Sequence, residues 1–560
     1  PPVPRYNMPS FRDVLTAIAT AWQNERDKIS RLAEQVLDNI RSNTIVTGKA
    51  AVPLTQSLLD NAADHLYQNY DWDFGGWGKA PKFPQPLAIE FLLDRATQPG
   101  QPEKSRNYLQ IVSHLLHRMA RGGIYDVVGG GFARYSTDNL WRVPHFEKML
   151  YDNAQLARAY LRAYLVTGEV QFREVCVETL DFIRRELTHP AGGFFSSLDA
   201  DSEGEEGKFY TWQYAEIETF LADDFPFFKS AYGLTPAGNW EGKIILQRDM
   251  DEKALAARFG LSPEEITPRL AACHALLLKA RNKRTRPGTD DKILTSWNAL
   301  GLCAFAEAGR YLRRQDYLGI AIRNAQFLLE NLYAGGRLLR SWRGGQPKHN
   351  AYLEDYASLA IGLLSLYQSD PNPGWYTSAF QLADEMVTHY RDSQGGFFDT
   401  RTDHETLLLR PRDLQDNTTP SGNALAVNAL LQLAAYGDRP QWRTLAEENL
   451  LPLLETAVSY PAGFAKWLSA ADFSLGPVHE VAIIGDSPAL IDTLWKTYRP
   501  RLVAGIASFP PPPGSPALLV GRPLLNNQPT AYICQGFICQ QPVTTPEDLT
   551  SQLGDAQTRD

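Results

Sequence analysis

The chain has 560 residues, 44% of them hydrophobic and 21% charged, and a net charge of −9 from interspersed acids and bases. That much apolar material builds a substantial core, which excludes a disordered chain, and the lack of basic blocks argues against nucleic acid or an anionic membrane as partner. No apolar run, Leu359–Tyr367 included, reaches the roughly 20 residues a spanning helix needs, and five cysteines suit a reducing, cytoplasmic setting.

In chain order, PPVPRYNMPS opens without an initiator Met or a signal-peptide pattern, so what precedes it is not read from these residues. Phe11–Ile40 follows with Val14, Ile18, Ala21, Trp22, Ile29, Leu32 and Val36 at spacings of three and four, the period of helices. The same period recurs over Leu87–Ala96, Leu109–Met119, Leu150–Leu165, Phe172–Leu187, Ile293–Leu312, Leu353–Tyr367, Ala379–Tyr390, Ala424–Ala435 and Trp442–Val458. The chain is mainly α by this pattern.

A short glycine signal separates the helices: FGGWG from Phe74, RGGIYD from Arg121, AGGFF from Ala191, AGGRLL from Ala334, QGGFF from Gln394 and PAGFAKW from Pro461. The interval is about 50–70 residues, enough for two helices, and one interval is about double, with GNWEGKIIL at Gly238 as a possible extra turn. Repeated helical hairpins bury their faces by stacking, either as an open solenoid or, with six or seven units, closed into an α/α toroid. The tail differs. HEVAIIGD, RLVAGI, SPALLVGR and TAYICQGFICQ read as short β runs around the helix-like PALIDTLWKTYRP, a small C-terminal α/β extension.

Charge gathers at helix heads. In VPHFEKMLYDNAQLA, with about 100° per residue, Lys148, Met149 and Asp152 share the side of His145, opposite Leu150, Ala154 and Ala157, and Pro144 fits a first-turn position. TDDKILTSWNALGL places Asp291, Thr295 and Asn298 on one face; HNAYLEDYASLAIGLLSLY opens with Glu354 and Asp355 on a helix apolar nearly all round, as an inner helix is. In TTPSGNALAVNAL, Ser421 caps and Asn423 lies in the first turn. An acid at a helix N-terminus stabilises the dipole by about 0.3–1 kcal/mol, which accounts for any one of these alone. Four such heads side by side make a pocket.

The strings GGWGKAPKFPQP, GGIYDVVGGGFARYSTDNLWRVPHFEKMLYDNAQLA, GGFFSSLDADSEGEEGKFYTW, DDKILTSWNAL, YLEDYASLAIGLLSLY and TPSGNALA resemble the bacterial and animal thioredoxin-domain proteins that include the spermatogenesis-associated member, from about Phe11 to Val543. The resemblance implies a thioredoxin-like domain followed by a six-hairpin (α/α)6 barrel similar to N-acylglucosamine 2-epimerases. On this division, 1–48 resembles only the closing segment of the thioredoxin-like part, 49–476 is the barrel and 477–560 the extension. A thioredoxin-like domain upstream is then a possible partner, and its redox motif is not carried by these residues.

The expected ligand is a small sugar-like molecule, and the first expected activity is sugar epimerisation or isomerisation, with His145 and His349 exchanging a proton beside a carbonyl. The alternative is glycoside hydrolysis by paired carboxylates drawn from Asp291, Asp355, Asp152 and Glu147. Trp141, Trp297, Trp342, Tyr151 and Tyr356 are candidate stacking faces, and Arg134, Lys148, Lys292, Asn298 and Asn423 candidate polar contacts. A third reading is a barrel without catalysis that presents a partner-binding or regulatory surface. No cofactor or metal is expected: GGGFARY lacks the strand and lysine of a phosphate loop, the acidic DADSEGEEG does not follow a calcium-loop spacing, and Cys534 and Cys539 in CQGFIC read as two structural thiols rather than half a zinc site.

Overall fold

The computed structural model describes residues 3–5, 8–44, 52–405 and 407–554. Helices Phe11–Asn24 and Arg26–Thr44 come first, and the first of them has no buried residue. Twelve barrel helices follow: α1 (Gln56–Gln68), α2 (Pro86–Ala96), α3 (Pro102–Arg121), α4 (Leu150–Thr167), α5 (Val170–Glu186), α6 (Thr295–Tyr311), α7 (Gln315–Leu332), α8 (Leu353–Tyr367), α9 (Pro373–Tyr390), α10 (Gly422–Ala435), α11 (Gln441–Leu450) and α12 (Ala465–Leu475).

The even-numbered helices form a closed ring, α2 on α4, then α6, α8, α10, α12 and back to α2, and each odd-numbered helix packs outside it. This is an (α/α)6 barrel. Composition decides which helices go inside. In α8 every residue but Glu354 and Ile361 is buried, and α10 buries all but Gln432, as helices apolar all round must. The outer α5 buries only a stripe, with Phe172, Val175, Cys176, Thr179, Leu180 and Ile183 facing the ring. Each fully buried Leu or Phe contributes roughly 1.5–3 kcal/mol, so ring closure by six such helices dominates the stability. At Gly362 the ring helices approach so closely that a Cβ would stand 3.0 Å from Leu302.

Each glycine signal precedes an inner helix, and four of those helices hold the loop ahead of them. Phe132, after Gly130 and Gly131, donates its N–H to Asn153 Oδ1 (2.7 Å) and accepts from Asn153 Nδ2 (3.0 Å). Asn298 does the same for Phe194 at 2.7 and 3.0 Å. Asn423 Oδ1 accepts from Phe397 N–H at 3.0 Å, and Tyr356 hydroxyl from Leu338 N–H at 2.9 Å. Gly130, Gly131, Gly192, Gly395 and Gly396 all have positive φ, a conformation cheap only for glycine. In three units a side-chain amide, and in a fourth the Tyr356 hydroxyl, thus fastens a loop to the head of the next inner helix.

Two departures from the sequence expectation concern connections. The double-length glycine interval holds no extra barrel hairpin; helices Tyr214–Leu221, Phe225–Tyr232, Glu252–Phe259 and Pro263–Arg281 gather Trp212, Ile217, Phe228, Leu255 and Ile266 into a separate core. And α4 starts at Leu150, not Pro144. Pro144–His145 pairs with Tyr135–Ser136, and Lys148–Met149 with Ser197–Leu198, so strand pairing takes the backbone that a helical first turn would have used.

In the C-terminal extension, His479–Ile484 lies parallel to Leu502–Ala507 and antiparallel to Thr530–Gln535, which pairs with Ile538–Cys539. Residues of SPALLVGR form a 3-10 turn, Ala517–Leu519, rather than a strand. Cys534 and Cys539 are not free thiols: they sit directly opposite each other across the hairpin and form a disulfide. Among the described residues no helix is long and apolar enough to cross a membrane.

Candidate functional site

All six inner helices begin at the same end of the barrel, and contacts between their heads run round that mouth. Tyr151 of α4 meets Trp297 of α6 edge to face, ring centres 4.7 Å apart. Ser296 N–H donates to Asp355 Oδ1 of α8 at 3.0 Å, and the backbone of Glu354 lies against Gly422 of α10. The loop before α10 reaches across the axis to α4, where Gln155 Nε2 donates to the Thr418 carbonyl at 2.8 Å.

Asp152, in the first turn of α4, is the most unusual group there. It is buried, and its Oδ2 has no hydrogen-bond partner among the described residues. Burial pushes its carboxyl well above the ordinary range and Glu147 adds to this, while Arg134 opposes it. A carboxyl so placed is held neutral and able to donate its proton. Glu147, 25% exposed, lies 3.4 Å from Arg134 Nη1 and 3.6 Å from His145 Nε2. His145 stacks on Tyr135 and meets Glu206 Oε1 through Nδ1 at 2.7 Å. Arg134, His145, Glu147, Tyr151, Asp152 and Trp297 are therefore one neighbourhood.

Asp355 is fully buried. It accepts from Tyr352 N–H and Ser296 N–H and from Arg340 Nη1 at 3.0 Å, and burial lifts its pKa to about 6. Arg340 also pairs with Glu354 at 2.6 Å. Asp355 thus ties two helix heads together.

Several expected contacts are engaged elsewhere. Trp141 is wholly buried and its indole N–H donates to the Gly75 carbonyl, so it offers no stacking face. Lys148 Nζ bonds Asp126 Oδ2 at 2.8 Å and the Gly130 carbonyl at 2.9 Å; burial lowers its pKa to about 8. Asn298, Asn423 and Tyr356 hold the glycine turns. Trp342 packs on His189 and Phe327. Asp291 pairs with Arg343 and Lys292 with Asp290, all partly exposed. His349 is exposed on the strand Gln346–Asn350, and no contact brings it to His145. Lys148, Asn298, Asn423 and Tyr356 thus bond the backbone of connecting loops, which helical-wheel reasoning does not represent.

The opposite end holds what sequence reasoning missed. Arg158 and Arg162 of α4 flank Glu307 of α6 at 2.8 and 3.1 Å and Glu90 of α2 at 3.2 and 3.5 Å, and Lys466 lies 3.8 Å from Glu90. Burial alone would raise Glu307, but Arg158 and Arg162 outweigh it and hold the carboxyl well below the usual range. Asp94 of α2 accepts from Tyr498 of the extension at 2.6 Å, and burial raises its pKa to about 7. The available signal was a charge four residues from another, Glu90 with Asp94 and Arg158 with Arg162, in the middle of helices otherwise apolar all round.

No protein-family model matches the chain. Over 99% of its length it is 31% identical to human spermatogenesis-associated protein 20, covering 76% of that protein, and 30% identical to the rat protein with the same coverage. Among solved structures it is similar to a sugar epimerase from a ruminal bacterium (13% identity, TM-score 0.31, 66% of this chain and 91% of that one). It is also similar to an inactive variant of an alpha-1,6-mannanase from Salegentibacter (12% identity, TM-score 0.40, 75% and 97%). Likenesses that weak say nothing of chemistry, whereas the sequence identity spans nearly the whole chain, and the chain belongs to the spermatogenesis-associated protein 20 family.

Proposed function

We propose that the barrel binds a sugar or sugar derivative at the mouth and acts on it by carboxyl acid–base chemistry, as a glycoside hydrolase does, with Asp152 as proton donor. The observation that supports this is the Asp152 carboxyl itself, buried and pushed well up in pKa, with one oxygen unpartnered among the described residues. Glu147, more exposed and beside Arg134, is the candidate base. Trp297, partly exposed and backed edge to face by the buried Tyr151, supplies apolar ring surface for a sugar face, and Arg134 a donor for its hydroxyls. Epimerisation by a histidine pair has less support, because His349 stands on an exposed strand and His145 is already bonded to Glu206.

The test is turnover of a panel of aryl glycosides by the parent protein, Asp152→Asn and Glu147→Gln. The proposal expects Asp152→Asn to lose about 10²–10⁴-fold in kcat with the fold intact by circular dichroism. Undiminished turnover in that variant overturns the role. Exchange of the carbon-2 proton of reducing sugars with deuterated water, retained in Asp152→Asn and lost in His145→Gln, would favour epimerisation instead.

One observation favours the third reading. The Gln155–Thr418 hydrogen bond joins α4 to the loop before α10, on the far side of the ring, and narrows the mouth. A parent protein that turns over no sugar in either assay supports a partner-binding or regulatory barrel, coupled to a thioredoxin-like domain.

A further inference from the structure

The closed end of the barrel surrounds a cavity of about 120 Å³. Every inner helix lines it: Asp94 of α2, Arg162 of α4, Arg310 of α6, Ser365 of α8, Asn428 of α10 and Lys466 of α12. Trp495 and Tyr498 of the extension roof it. Its acids are already committed. Glu90 and Glu307 meet Arg158 and Arg162, Asp472 is held by Arg95 and Arg501, and Asp94 accepts from Tyr498.

The donors are not all committed. Arg310 Nη1 donates to the Ser365 carbonyl and the Ser369 hydroxyl, and its guanidinium lies 4.3 Å from the Trp495 ring centre. Arg310 Nε, Trp495 Nε1 and Ser365 Oγ are buried with no hydrogen-bond partner among the described residues. Trp495 is 8% exposed and Ser365 7%. Buried donors without acceptors are rare because each loses its water, and here an indole N–H, a hydroxyl and a guanidinium cluster beside one polar hollow. What satisfies three donors, one of them cationic, is an acceptor carrying negative charge.

We propose that this cavity is a binding site for a small oxyanion, a carboxylate or a phosphate group, whose oxygens accept from Trp495, Ser365 and Arg310 beneath the C-terminal extension. It is separate from the mouth, and it stands whether or not the mouth is catalytic. The extension then has a role in binding: Trp495 and Tyr498 place a donor and a wall where the barrel alone would be open.

Calorimetric titration of the full chain with inorganic phosphate and with acetate, at constant ionic strength against a chloride control, tests this. One saturable site for one of the two anions is expected, and which one saturates identifies the class. Trp495→Phe keeps the ring and removes the N–H, and Ser365→Ala removes the hydroxyl; each is expected to weaken binding about tenfold. Two variants keep the test decisive if one folds poorly. Absence of saturable binding by both anions, binding no stronger than chloride, or affinity unchanged in both variants overturns the proposal.

Discussion

At the mouth of the barrel Glu147 and Glu354 remain about a quarter exposed and Asp152 keeps one buried oxygen without a partner among the described residues. At the closed end Glu90 and Glu307 are almost wholly buried, and each lies between at least two cations. The same residue type does different work in the two places. Paired and dehydrated carboxylates fix the spacing of α2, α4 and α6, because a buried charge tolerates no displacement of its counter-ion. An isolated one cannot stabilise; it stays neutral, and is useful only to something that takes its proton.

The largest effect that would break this contrast is at the closed end. Glu307→Ala removes the carboxylate that pairs with both Arg158 and Arg162 and leaves them sharing Glu90, and a broken buried pair costs about 3–5 kcal/mol. Urea unfolding is expected to show that loss, while Asp152→Asn at the mouth leaves stability within about 1 kcal/mol. Equal losses in the two variants would mean that the two ends do not differ.

A pH dependence sharpens the comparison next. Burial holds the pKa of Asp94 at about 7, with Asp472 and Glu90 adding to the rise and Arg162 opposing it. Between about pH 4 and 7 the folded protein keeps a proton that the unfolded chain releases. Stability from this group is complete below the unfolded value, declines as pH rises through that window and is flat above it. Asp94→Asn, neutral at every pH, is expected to match the parent near pH 4 and to exceed it at pH 8 by on the order of 4 kcal/mol. A variant with an unaltered stability–pH profile shows that Asp94 is not the group.

At the mouth the corresponding structural effect is smaller. Asn298→Ala removes both hydrogen bonds to Phe194, leaving a buried N–H and carbonyl unpaired at a cost of about 2–3 kcal/mol. Amide exchange of the Gly192–Phe194 turn is expected to accelerate in this variant, with little change at the closed end. Protection of that turn unchanged in Asn298→Ala would remove the amide's role as its clamp.

These residues also show how much the sequence discloses. The inner helices were legible because α8 and α10 have almost no polar face, and the repeated Gly-Gly marked where each hairpin turns. The repeat left an open solenoid and a closed toroid equally available, because the contact of α12 on α2 that closes the ring joins helices at opposite ends of the repeat. The asparagines were legible as residues of the helix heads but not in their task, since Asn298 and Asn423 bond to loops about 100 and 26 residues away and a helical wheel contains no loop. His145 was misplaced onto a helix because strand pairing by Pro144–His145 depends on Tyr135–Ser136, which local periodicity does not see. The buried ion network was the hardest to read: Arg158 and Arg162 carry the spacing of an ordinary exposed helix face, and only the closed ring turns that face inward.

The smallest effect tests where the site ends. Asp291 lies just ahead of α6 and shares the residue type and the helix-head position of Asp152, so position alone predicts a comparable role. Its surroundings predict otherwise. Its partner Arg343 is 66% exposed and Asp291 itself 46%, and water screens such a pair to about 0.2–1 kcal/mol. Asp291→Asn is therefore expected to lose less than about 1 kcal/mol in urea unfolding and to leave kcat on any glycoside that the parent turns over within about twofold, far from the 10²–10⁴-fold that a proton donor carries. A large kcat loss in Asp291→Asn with stability intact would move the acid–base centre from α4 to α6. The buried Asp152 would then owe its raised pKa to packing alone.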